Sequence, residues 1–273
     1  MKSIMLTLFL ILFGQSGYAQ EMPLWEVGLG FTGLSLPEYR GADTQLGYVF
    51  PLPYLVYRGD ILKVDRKGIY GLLLDSETVQ LNISLDAGAP VRNSGNTMRS
   101  GMNDLGPTFQ IGPSLEICLM NTCGGDRSVQ LRFPVRAVYA FNNSRLRGIG
   151  WVVNPQINTD IKNIGSKGAW NAGVAIGPIF GTESYHSYYY DVATQFAMPG
   201  RPSYDAHGGY SGSIAALSLS KRFERHWFGA FARYDNLANA AFVDSPLVKT
   251  RHSFMVGFGI AWILNQSSTL VRE

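Results

Sequence analysis

The chain has 273 residues, 46% of them hydrophobic, and a formal net charge of only +3. No Lys/Arg-rich run or basic helix accompanies that charge, so nucleic-acid binding has no electrostatic support. Glycine (31), tyrosine (14) and phenylalanine (15) are abundant, yet past the N-terminus no stretch approaches the roughly 18 uninterrupted apolar residues of a spanning helix, which leaves a membrane β-barrel or a large secreted β-domain.

Residues 1–19 read as a secretion leader: Lys2, a nearly all-apolar Ile4 to Phe13, then small Gly17 and Ala19 before a cleavage point. The expected division is leader 1–19, barrel 20–264 and a short polar tail 265–273. Trp25, Val27, Leu29 and Phe31 alternate with Glu26, Gly28, Gly30 and Thr32, the period of a strand. After a loop at Leu36 to Asp43, Tyr48, Phe50, Leu52, Tyr54 and Val56 alternate with Gly47, Val49, Pro51, Pro53 and Leu55. Neither proline can donate to a ladder, and a bulge would reconcile both with pairing. Arg58-Gly59-Asp60 reads as a Gly-centred turn before two short strands, Ile61 to Asp65 and Ile69 to Asp75. Val79 to Ala87 forms the next strand and residues 88–104 a long polar loop.

Two long strands joined at 121–126 span Thr108 to Phe141. Phe109, Ile111, Leu115 and Leu119 share a face in the first, and Val129, Leu131, Phe133, Val135 and Phe141 in the second; Glu116, Arg132 and Arg136 lie opposite. Seven alternations exceed a typical soluble strand of about 5–6 residues but suit the roughly 9–11 residues of a tilted membrane strand. Outward apolar and inward polar faces are the barrel arrangement; a soluble β-sandwich would turn the charges to water instead. Cys118 and Cys123 flank the turn, and in an oxidising compartment they are expected to form a disulfide, not a zinc site.

Trp151 to Ile161 and Trp170 to Phe180 follow, then a second long loop, 181–207. Tyr210 to Arg222 and His226 to Asp235 come next, then a third loop at 236–248 and a last strand, Phe254 to Trp262. The total is about twelve strands, with ten as the fallback. An even number keeps the three long loops at one end and the tight turns at the other, as in bacterial outer-membrane barrels.

Candidate chemistry is sparse. His186, His207, His226 and His252 have no metal-ligand spacing. Gly209-Tyr210-Ser211-Gly212-Ser213 approaches a nucleophile elbow without its strand-turn-helix context, and Ser211 with His207 or His226 is the only pair to consider for hydrolysis. Glu116, Arg132 and Arg136 read as lumen charges satisfying one another. Arg99, Asp104, Arg201, Tyr204 and Asp205, in the two long loops, are expected to pair with each other or with those lumen charges. Two solvated surface loops are the alternative.

Several stretches together resemble the MltA-interacting protein (MipA)/OmpV family of outer-membrane proteins. They include Trp25-Glu26-Val27-Gly28-Leu29-Gly30, Pro37-Glu38-Tyr39-Arg40-Gly41-Ala42, Pro51-Leu52-Pro53-Tyr54-Leu55-Val56-Tyr57-Arg58-Gly59, Arg99-Ser100-Gly101-Met102-Asn103-Asp104-Leu105, Tyr188-Tyr189-Tyr190-Asp191-Val192 and Asp244-Ser245-Pro246-Leu247-Val248. Asp191 stands where the family pattern has Gly. The resemblance implies a non-enzymatic barrel in the outer membrane of a Gram-negative bacterium, among outer-membrane lipids and without cofactors. It further implies a scaffold joining a lytic transglycosylase to a peptidoglycan synthase, or an adhesin or stress-related surface protein. A porin-like channel for small solutes is the alternative, and a barrel lipid hydrolase a more distant one.

Overall fold

The computed structural model describes residues 21–272 apart from 60, 61, 66, 67, 93–96, 122, 124, 143 and 166–169. The expected leader, 1–19, therefore lies outside the described residues. Two small strands, β1 (Glu21–Pro23) and β15 (Leu270–Arg272), pair with each other. One large antiparallel sheet holds the rest: β2 (Trp25–Pro37), β3 (Gln45–Arg58), β4 (Leu62–Asp65), β5 (Gly68–Asp75), β6 (Val79–Gly88), β7 (Thr108–Met120), β8 (Arg127–Asn142), β9 (Arg145–Val153), β10 (Gln156–Ile164), β11 (Trp170–Gly181), β12 (Gly209–Arg222), β13 (His226–Asn236) and β14 (His252–Gln266). Each pairs with its sequence neighbour except that β9 and β10 do not pair with each other and both instead contact β8 and β11; β14 meets β2, and these contacts close the sheet into a barrel. Closure pairs most of the sheet's edges, as a membrane requires.

The sheet's thirteen strands make twelve positions in the wall. β9 pairs with the upper part of β8 (Val135 to Asn142) and β10 with the lower part (Arg127 to Arg132), so the two are one interrupted strand. The break falls at Asn154-Pro155, where the proline ring has no N–H for the ladder. This crossing therefore begins at Arg145, upstream of the alternation that starts at Trp151.

The alternation sorts as a membrane wall requires. Leu29, Phe31, Ile111, Leu115, Phe133, Ile176, Leu217, Phe258 and Trp262 are exposed on the outer surface, while Glu26, Asn82, Ser84, Ser114, Glu116, Gln130 and Asp235 are buried inside. Among the described residues no helix is long and apolar enough to cross a membrane, and the strands do the crossing. Leu115→Arg, halfway along β7, is expected to destabilise the barrel by about 2–4 kcal/mol, and Leu264→Arg, near the end of β14, by about 1 kcal/mol or less. Unfolding in lipid vesicles measures both; equal losses would contradict the depth of the membrane belt.

Two expectations need correction. Pro51 and Pro53 sit in no bulge, because β3 keeps unbroken register with β2 from Trp25↔Tyr57 to Pro37↔Gln45. They are tolerated because β3 meets β4 only at Tyr57 and Arg58, so nothing among the described residues pairs with the far edge of Gln45 to Pro53. Within the expected tail 265–273, the described residues 265–272 are not a free end: β14 runs on to Gln266, and β15 returns to β1 with Glu21↔Arg272 and Pro23↔Leu270 in register. Leu24 N–H to Thr269 O (2.9 Å) and Ser267 N–H to Trp25 O (2.8 Å) fasten this clasp to the barrel. Cys118 and Cys123 are joined at the short-turn end, their Cα atoms 5.5 Å apart.

Candidate functional site: a closed mouth over a charged lumen

The four loops at the long-loop end, 38–44, 89–107, 182–208 and 237–251, form a cap with its own apolar core. Tyr39 and Ala42 come from the first loop, Val91, Met102 and Leu105 from the second, Tyr190, Val192 and Ala206 from the third, and Leu237, Ala240, Phe242 and Leu247 from the fourth. Backbone groups pair within the cap, as buried amides and carbonyls require. Val91 bridges Leu105 and Val192 bridges Tyr204. One helix, α1 (Glu183–Tyr190), starts after Gly181 and Thr182 and carries the Tyr188-Tyr189-Tyr190 run into the core. The Tyr190 ring stacks on Phe242 with centroids 3.7 Å apart. Tyr190 O–H donates to Arg40 O (2.8 Å) and Ser245 O–H to Tyr190 O (2.7 Å), so three loops meet at one side chain.

Arg99 and Arg201 act on carbonyls. Arg201, 4% exposed, donates to Phe196 O, Met98 O and Ser100 O at 2.7–3.0 Å, clamping the third loop to the second. Arg99 donates to Tyr189 O (3.0 Å) and Asn103 O (3.3 Å). Tyr204 O–H reaches Ala241 O at 3.4 Å, whereas Asp104 and Asp205 are exposed.

The lumen charges pair separately below. Arg132 meets Glu116 at 2.9 Å, and the Asn82 amide donates to the same carboxylate at 3.0 Å. Arg136 contacts Asp86 (3.5 Å), Gln110 (3.1 Å) and Ser84 (3.2 Å). Arg99 and Arg201 thus take loop carbonyls, while Arg132 and Arg136 take polar groups of the wall.

Two further lumen clusters were not singled out from the sequence. At the short-turn end, Glu26 (0% exposed) receives Arg58 and Arg222, both at 3.0 Å, and the Tyr54 hydroxyl at 3.1 Å. Below the cap, Asp235 lies between Arg40 (2.6 Å) and Arg233 (2.8 Å). Arg233 and Asp235 lie two apart on β13, and Tyr54 and Arg58 share β3, but Glu26, Arg222 and Arg40 join them from elsewhere in the chain. Only the inward parity of Glu26, Asp235 and Arg233 points to them.

Ser211 does meet a histidine, though neither of those expected. His186 of α1 points Nε2 at Ser211 Oγ, and its Nδ1–H donates to the backbone carbonyl of His207 (2.5 Å). His226 sits at the opposite end of the barrel, beside Trp262. Gly212, at φ +93° with the Asn236 carbonyl against its Cα, turns the backbone there. His186 and Ser211 are both 0% exposed, and the pair joins cap to wall as a latch. Burial above all holds the imidazole below its ordinary value of 6.5; the His207 carbonyl opposes this and the Arg40 charge reinforces it. An opened cap would thus bind a proton that the closed cap refuses. Cap stability is expected to be full above about pH 6.5 and to fall as pH drops from there through the lower closed-state value. Protease cleavage within 182–208 should rise across that window, and His186→Gln should flatten the dependence; an unchanged profile in the variant would count against the latch.

No group of three or more His, Cys, Asp or Glu able to hold a metal occurs among the described residues.

A family model described as MltA-interacting protein MipA matches residues 29–264. No curated protein matches the chain. Among solved structures, the crystal structure of a Pseudomonas aeruginosa FadL homologue aligns with 78% of this chain at 10% identity and a TM-score of 0.31. The alignment covers 60% of that protein, so this chain spans less than two thirds of its length.

Proposed function

Because this chain belongs to the family of the MltA-interacting protein MipA, we propose that it is a non-enzymatic scaffold in the outer membrane of a Gram-negative bacterium, delivered there by its N-terminal leader. Its long-loop end faces outward, and its short turns and the β1–β15 clasp face the periplasm. The partner is a lytic transglycosylase, in keeping with the family's name, and a peptidoglycan synthase is the second enzyme brought to it. The observation that carries this reading is the closed mouth: interlocked loops with a common core suit a rigid platform better than an open channel. Exposed Phe223, with Lys221 above its ring at 5.0 Å, marks the periplasmic turn 223–225 as a contact point. Binding of a purified lytic transglycosylase to the barrel in nanodiscs tests the proposal. Saturable binding weakened by Phe223→Ser is expected, and no binding at tens of micromolar enzyme, about 6–7 kcal/mol of affinity, would overturn it.

A further inference from the structure

Two observations in the same sector of the wall depart from the usual barrel. The lumen of a membrane barrel is ordinarily polar, yet the inward face of β3 carries Tyr48, Phe50, Leu52, Tyr54 and Val56, set by register opposite inward Leu34, Thr32, Gly30, Gly28 and Glu26 of β2. Across β14, Phe231 and Trp227 of β13 also face inward, paired with Gly257 and Ala261. Glycines make room for these side chains. A Cβ on Gly229 would fall 2.2 Å from the Trp227 ring, and one on Gly257 would fall 2.5 Å from both Leu34 and Phe231. Phe50, Leu52 and Phe231 remain 39%, 41% and 37% exposed inside the barrel, so they line space and do not fill it. This apolar layer lies between the Glu26 cluster below and the Asp235 cluster above.

The second observation is the open wall beside it. β4 covers β3 only at Tyr57 and Arg58, and β5 covers β6 only from Gln80 to Asn82. Among the described residues no strand stands between Gln45 to Pro53 and Ile83 to Gly88. The open edge of β3 carries outward Val49 and Leu55, both exposed, and Pro51 and Pro53, which cannot donate to an added strand. The edge thus disfavours a protein strand and presents apolar surface to the membrane.

We propose that the layer formed by Phe50, Leu52, Leu34, Phe231 and Trp227 is a binding site for the acyl chain of a membrane phospholipid, entered sideways between β3 and β6. The site needs the barrel to lie in a bilayer and is independent of the scaffold role. The chain exchanges bilayer hydrocarbon for an apolar enclosure, while the two ion clusters bound the layer along the barrel axis.

The test uses the full protein in vesicles containing a phospholipid with a diazirine at the end of one acyl chain. Photolysis should give adducts on inward Phe50, Leu52 and Phe231 as well as on outward Phe258 and Ile260. Phe50→Gln/Leu52→Gln keeps inward polarity that barrels accept, and it should reduce labelling of Phe231 by about tenfold or more while leaving Phe258 unchanged. Adducts confined to outward-facing residues in the folded wild-type protein would overturn the proposal, as would undiminished Phe231 labelling in the folded variant.

Discussion

Replacing Glu26 with Ala is expected to remove about 3 kcal/mol or more of barrel stability. The Glu26 carboxylate is fully buried and is the anion shared by Arg58 and Arg222, whose side chains are 11% and 23% exposed. Losing it leaves two cations facing each other without a counter-charge, and breaking a buried pair from one side costs about 3–5 kcal/mol. The arginines' partial access to water places the effect at the lower end. Tyr54, which donates to Glu26 at 3.1 Å, and Arg222, which also donates to Gln266 at 2.9 Å, carry the disturbance to β3 and β14. Glu26→Gln, which keeps an acceptor but no charge, should fall between wild type and Glu26→Ala. Urea unfolding in vesicles measures the order, and a loss below about 1 kcal/mol for Ala would show that Glu26 is not the keystone of the lumen.

Phe242→Ala should have a comparable effect confined to the cap. Phe242 is 0% exposed, stacks on Tyr190 at 3.7 Å and sits edge-on to His186 at 4.8 Å. A truncated buried phenylalanine costs about 3–5 kcal/mol. Here it removes the contact joining the 182–208 and 237–251 loops, so the cap should open while the wall persists. Rapid proteolysis of 182–208 with unchanged strand content is the expected result; a barrel that unfolds as one unit would show that cap and wall are not separable.

Much of the wall was legible because a two-residue period and a bilayer-length strand are imposed on every crossing. Phe109 to Leu119 and Phe254 to Trp262 point outward as their alternation requires. The reading failed where long-range pairing decides. Pro51 and Pro53 signal an interruption, but only the shortness of β4 shows that it is a missing neighbour and not a bulge. Asn265 to Glu273 looks like solvated chain, and its strand exists because the N-terminal Glu21 to Pro23 lies beside it. In the cap, Arg99 and Arg201 were recognisable as functional cations, but their partners are backbone carbonyls, which no side-chain pattern announces. His186 escaped notice for the same reason: Ser211 and the His207 carbonyl reach it only through the loop fold.

The central claim is that interlocked loops close this barrel, and conductance across planar bilayers tests it most directly. Wild-type protein should show no sustained open-porin conductance, and deletion of residues 183–203, which removes α1 and the Arg201 clamp, should produce it. A wild-type barrel that conducts steadily like an open porin, whatever the deletion does, would contradict the account.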